Sequence, residues 1–136
     1  MAKLVKELRR QKILSSSMQE IQIVFVDKRQ IRELNSRYRK RDKPTDILSF
    51  SGSGAPDLGE LVLCGEVLEK QSREHGLSLR EELGYMLIHG TLHLLGYEHE
   101  GSPSQARRMF KLQDALFDQL RSTKAREAKK ASVTLR

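Results

Sequence analysis

Three of the four histidines in this 136-residue chain fall within the eleven residues His89-Gly-Thr-Leu-His93-Leu-Leu-Gly96-Tyr-Glu-His99. Imidazole nitrogen is a favoured ligand of zinc and related divalent ions, so the spacing decides what the cluster can do. The residues before it have helical periodicity, and positions four apart on a helix project from one face about one turn apart. His89 and His93 can therefore reach one ion. Gly96 is the residue type that takes positive φ and ends a helix, which turns the chain and swings His99 back toward the same point. Three protein ligands with a fourth position left for water or substrate is the pattern of a catalytic zinc site rather than a structural one. Two histidines on a helix are commonly packing or surface residues. The third histidine and the glycine break are what favour a metal over that plainer reading.

Metzincin proteases share this histidine spacing, but they carry glutamate directly after the first histidine as general base on the metal-activated water. Here that place is Gly90. Loss of the base argues against ordinary peptide hydrolysis and leaves phosphodiester attack open, provided another group handles protons. Glycine in a helix interior costs about 1 kcal/mol relative to alanine, so Gly90 is expected to admit a close neighbour. Glu82 lies two turns before His89 on the same strip. It could orient a ligand imidazole through its second nitrogen, and a solvated surface glutamate is an equal alternative.

The rest of the chain has to position this cluster. Its length suits one domain with a real core, expected over residues 1–121, followed by a flexible basic tail over 122–136. Charged residues make up 32% and the net charge is +7, with a pI near 9.8. Acidic partners are favoured, nucleic acid first and an anionic membrane surface second. No apolar run approaches the roughly 20 residues of a membrane span, and no signal-peptide apolar region opens the chain, so a cytoplasmic protein is expected. Cys64 has no second cysteine to pair with, which agrees with a reducing compartment. Its neighbours Leu61 to Leu63 read as a buried strand, so an inert core thiol is expected.

A basic amphipathic helix is expected over Ala2 to Leu14, then a serine loop and a strand from Ile21 to Val26. Asp27 is placed to cap a helix from Lys28 to Tyr38 with Ile31, Leu34 and Tyr38 on its inner face. A basic loop, Arg37 to Pro44, leads to a strand over Ile47 to Phe50. Ser51 to Leu58 looks like a flexible connection to a third strand, Glu60 to Cys64. A helix from Glu66 to His75 stops at Gly76, and His75 is expected in solvent, complementing the helix dipole. Ser78 with Glu81 makes a capping box for the histidine helix, whose core stripe is Leu83, Leu87, Gly90 and Leu94. Ser102-Pro103 opens a last helix with Met109, Leu112, Leu116 and Leu120 inside. The expected fold is α+β: a small mixed sheet packed by helices, with the three-histidine site on one helix and the turn after it.

At this level of detail the sequence is similar to a known family. The histidine motif, Leu34-Asn35 before Tyr38-Arg39, the run Asp42-Lys43-Pro44-Thr45-Asp46-Ile47-Leu48-Ser49-Phe50 and Leu58-Gly-Glu60 together resemble the YbeY-type endoribonucleases, bacterial rRNA maturation factors. The likeness spans about Ile21 to Phe117. It implies one zinc-like ion held by His89, His93 and His99, and cleavage of single-stranded RNA in 16S rRNA 3′-end maturation and ribosome quality control. It also implies the small ribosomal subunit and an assembly GTPase as partners, and it gives Arg39 the place of the family's functional arginine. Arg39 would hold phosphate, and Lys40, Arg41 and Lys43 would extend that basic rim. Asp46 either orients Arg39 or caps a strand end, and Tyr38 either stacks a base or, more plainly, packs on the sheet. Glu98 stands where the family usually has aspartate and Ser51 where proline is common. The family's extra N-terminal strand is not evident.

Overall fold

The computed structural model describes residues 6–7, 20–54, 56–97 and 101–134, with backbone alone over 122–134. The chain divides into two compact units, one of residues 17–97 and one of residues 1–16 with 98–136. The boundary falls between Tyr97 and Glu98, inside the histidine motif.

The first unit holds three strands, β1 (Glu20–Val26), β2 (Ile47–Gly54) and β3 (Asp57–Cys64), and three helices, α1 (Lys28–Arg39), α2 (Gly65–His75) and α3 (Leu79–Leu94). The strand order is β1-β3-β2, with β1 parallel and β2 antiparallel to β3. Apolar side chains on the two faces of β3 separate the core into two layers. Val62 and Cys64 join Ile31, Leu48 and the half-buried Val26, Leu34 and Phe50 on the α1 side. Leu61 and Leu63 join Leu68, Met86, Ile21, Ile23, Ile47, Leu83, Leu87 and Leu94 on the side of α2 and α3.

The helix ends follow local chemistry. Asp27 accepts from the Gln30 amide at 2.8 Å while its own amide donates to Gln30 Oε1 at 3.1 Å. Ser78 and Glu81 make the same reciprocal pair, both bonds at 3.1 Å. At the end of α3 the Gly96 amide bonds to His93 O and the Tyr97 amide to Leu92 O, both at 3.0 Å, with Gly96 at φ 96°. That is a Schellman turn. Gly76 closes α2 the same way.

Three expectations need correction. Most of the stretch from Ser51 to Leu58, expected as a flexible connection, is strand, because β2 runs on to Gly54 and β3 begins at Asp57. The Asp57 carboxylate holds the turn by accepting from the Ser53 amide at 3.2 Å and hydroxyl at 3.3 Å. Tyr38 does not bury against the sheet: it is 56% exposed, and Asn35 takes the inner position one turn earlier. The last helix, α4 (Pro103–Thr134), continues past Arg121 instead of giving way to a frayed tail. Lysine, arginine, glutamate and alanine all form helix readily, so losing apolar periodicity there does not end the helix. Among the described side chains of α4, Met109, Gln113 and Leu116 are buried, with Gln113 joining the expected apolar stripe. The expected N-terminal helix lies almost wholly outside the described residues. Among the described residues no helix is long and apolar enough to cross a membrane.

Gly90 faces the sheet. A Cβ there would stand 2.7 Å from both Ile47 Cδ1 and Leu61 Cδ2, well inside van der Waals contact, so the close neighbours that its sequence position anticipated are β2 and β3. The missing side chain lets α3 settle onto the strands.

Candidate metal and phosphate site

Because Gly90 and Leu94 point at the sheet, His89 and His93 fall on the adjoining strip of α3, half-buried. Their Nε2 atoms are 3.2 Å apart and their ring planes cross at 75°. Two nitrogens bound to one tetrahedral zinc at 2.0–2.1 Å would be about 3.3 Å apart, so the pair fits a shared ion. The same separation serves an N–H···N hydrogen bond in metal-free protein, where a proton occupies the place of the ion. Among the described residues no group of three histidine, cysteine, aspartate or glutamate side chains could hold a metal. His99 and Glu98 lie outside the described residues.

Arg39 ends α1. Its Nη2 donates to the Ser49 carbonyl at 2.7 Å, and its guanidinium carbon sits 5.9 Å over the Phe50 ring. Anchored to β2 in this way, the group keeps further N–H donors for a phosphate. The loop after it is tied down from behind. Lys40 turns the chain in the left-handed region at φ 56°, the one non-glycine residue among those described to do so. Asn35, buried, donates from Nδ2 to Lys43 O at 2.8 Å, while its own carbonyl accepts from the Arg41 amide at 3.3 Å. Arg32 grips Asp42 through two bonds of 2.9 and 3.2 Å and holds that carboxyl below the usual carboxylate range. Lys40, Arg41 and Lys43 remain exposed on the rim. Asp46 caps the start of β2, accepting from the Ile47 amide at 2.7 Å, and is not the group that orients Arg39.

Sequence reasoning missed Asn35 as the loop's anchor. The signal was there: an amide one helical turn after Ile31, on an apolar face, needs a partner. It also missed the partner of Glu82. That carboxylate is 1% exposed and bonds His75 Nδ1 at 2.9 Å, bringing the end of α2 against the start of α3. Glu82 beside it pushes the His75 pKa above its ordinary 6.5, with smaller help from Glu74 and Asp46. A raised folded pKa gives stability that is fully present below the unfolded pKa and lost as pH rises through the folded one. His75→Gln should therefore lower Tm most below the ordinary histidine pKa of 6.5, with the difference shrinking as pH rises above it. Thermal melts of both proteins across that range measure it, and a constant difference would show that charge plays no part.

The α+β architecture is shared with a solved protein. A solution structure of a Thermotoga maritima protein superimposes with a TM-score of 0.58 at 30% identity, covering 90% of this chain and 87% of that one. The sequence profile described as Endoribonuclease YbeY matches residues 1–121. Endoribonuclease YbeY of Bdellovibrio bacteriovorus is 50% identical over 118 residues, 85% of this chain and 79% of that protein. Endoribonuclease YbeY of Aquifex aeolicus is 40% identical over 105 residues, 74% of this chain and 70% of that protein. The chain belongs to the YbeY endoribonuclease family, hydrolases that act on RNA.

Proposed function

We propose that the chain is a metal-dependent endoribonuclease that cuts single-stranded RNA in the cytoplasm during 16S rRNA 3′-end maturation and ribosome quality control. The small ribosomal subunit and an assembly GTPase would be its partners. The observation that carries the reading is the His89–His93 pair, whose facing Nε2 atoms are 3.2 Å apart within the family's histidine motif. His89 and His93, with His99 from that motif, would hold one divalent ion, zinc by donor type. Lewis-acid polarisation of a phosphoryl oxygen is the chemistry such an ion supplies when bound. Arg39, fixed by Ser49 O, holds the phosphate in place, and Lys40, Arg41 and Lys43 draw the RNA backbone along the rim.

Gly90 supports this over peptide hydrolysis, since the metzincin base would have to occupy space that Ile47 and Leu61 fill. A test compares zinc-loaded protein, chelated protein and Arg39→Ala on a 16S rRNA 3′-end fragment. Cutting should require the metal and fall about 10- to 100-fold without the arginine, the worth of a charge-assisted phosphate contact. Equal cutting by all three preparations would point to a contaminating nuclease. RNA binding without cutting by any of them would favour an assembly factor that uses the metal structurally.

A further inference from the structure

Tyr38 is used neither by the core nor by the proposed cleavage chemistry, yet its setting is specific. Helical spacing sends it toward the sheet, but 56% of it remains exposed. It meets Phe50 with ring centroids 5.3 Å apart and planes at 73°. In such an edge-to-face pair, the tyrosine edge meets the phenylalanine face and leaves both tyrosine faces uncovered, or the phenylalanine edge covers one of them. At least one face of Tyr38 is then not used by Phe50. The Arg39 guanidinium approaches the same Phe50 ring, 5.9 Å from its centroid, so an exposed ring and a fixed cation converge on one residue. Arg37, Lys40, Arg41 and Lys43, all exposed, flank them along the chain; of the carboxylates nearby, Asp42 is engaged by Arg32 and Glu60 stands opposite Phe50 across β2 and β3. An aromatic face beside a guanidinium within a basic rim suits single-stranded RNA, whose unpaired bases stack while the phosphates pair with cations. A duplex keeps its base faces covered.

We propose that Tyr38 is a stacking platform for one unpaired nucleobase, with Arg39 on the adjoining phosphate, and that the preference for single strands resides at this ring. The inference rests on the endoribonuclease reading and names the feature of the substrate that the basic rim recognises. The hydroxyl has no part in it.

The test titrates the full chain with a short single-stranded RNA carrying 2-aminopurine at each position in turn, whose emission responds to stacking, and with the same RNA annealed to its complement. The RNA is checked to be intact after each titration. Wild type should change the emission of the single strand and bind the duplex more weakly. Tyr38→Phe should keep the signal. Tyr38→Ala should lose it and bind the single strand about tenfold more weakly or worse, with KM for cleavage raised and kcat unchanged. Tyr38→Leu retains an apolar contact with Phe50 but no ring, so it should behave like the alanine variant and covers the case in which that variant is destabilised. If both ringless variants give the wild-type signal and affinity, or if wild type binds duplex as tightly as single strand, the platform is overturned while the cleavage reading stands. A wild type that neither binds nor cuts single-stranded RNA overturns the endoribonuclease reading itself.

Discussion

His93→Ala should reduce RNA cleavage by at least about 100-fold, since even groups that merely orient a metal ligand are worth 10- to 100-fold. The substitution removes one of two imidazole nitrogens that stand 3.2 Å apart, so bound zinc should fall together with activity. The fold should survive. His93 is half-buried on the strip beside the core stripe, while α3 is held by Met86, Ile88, Gly90 and Leu92, all buried. Metal content, circular dichroism and cleavage of the same RNA fragment measure the three consequences separately. A His93→Ala protein that keeps its zinc and its cutting would remove the basis of the metal assignment. One that unfolds while the wild type binds RNA without cutting it would give the metal a structural role.

Gly90→Glu should unfold the first unit. It places in this chain the residue that metzincins use as a base, so it also asks whether that chemistry is within reach here. The first side-chain carbon would already lie 2.7 Å from Ile47 Cδ1 and Leu61 Cδ2, and Leu61 is fully buried on the central strand. Overpacking costs about 1–3 kcal/mol, and a carboxylate pressed into an apolar contact without a partner adds several more. Against a total stability of about 5–15 kcal/mol, the sum is enough to lose most folded protein. Denaturant titration of soluble material gives the value. A Gly90→Glu protein as stable as its parent would mean that α3 does not lie on the sheet at this point.

Much of the fold was legible because its signals are local. Asp27, Ser78 with Glu81, and glycines 76 and 96 each specify a helix end within a few residues, and the structure has all four. The strands around Val24, Leu48 and Val62 were legible from their apolar β-branched runs. The hairpin from Ser51 to Leu58 was not, because what makes glycine and serine a strand there is pairing with a partner set by the whole sheet. Gly59 shows the reason: at φ 137° a Cβ on it would overlap the Phe50 carbonyl oxygen, a demand visible only once β2 is in place. Tyr38 and Asn35 share a helix face, and which of them is buried depends on where the sheet ends rather than on helical period. The Glu82–His75 bond needs the turn at Gly76 and Leu77 to bring two helices together, so neither residue signals it alone. Within the site, the pairing of His89 with His93 was legible from spacing, while the anchoring of Arg39 on Ser49 was not.

Cys64, fully buried on the central strand between β1 and β2, carries the chain's single thiol. A thiol reagent can reach it only when the sheet parts, so the labelling rate is an internal clock for opening of the core. Comparing that clock with and without added zinc would show whether the proposed ion stabilises the core around β3, with no engineered probe.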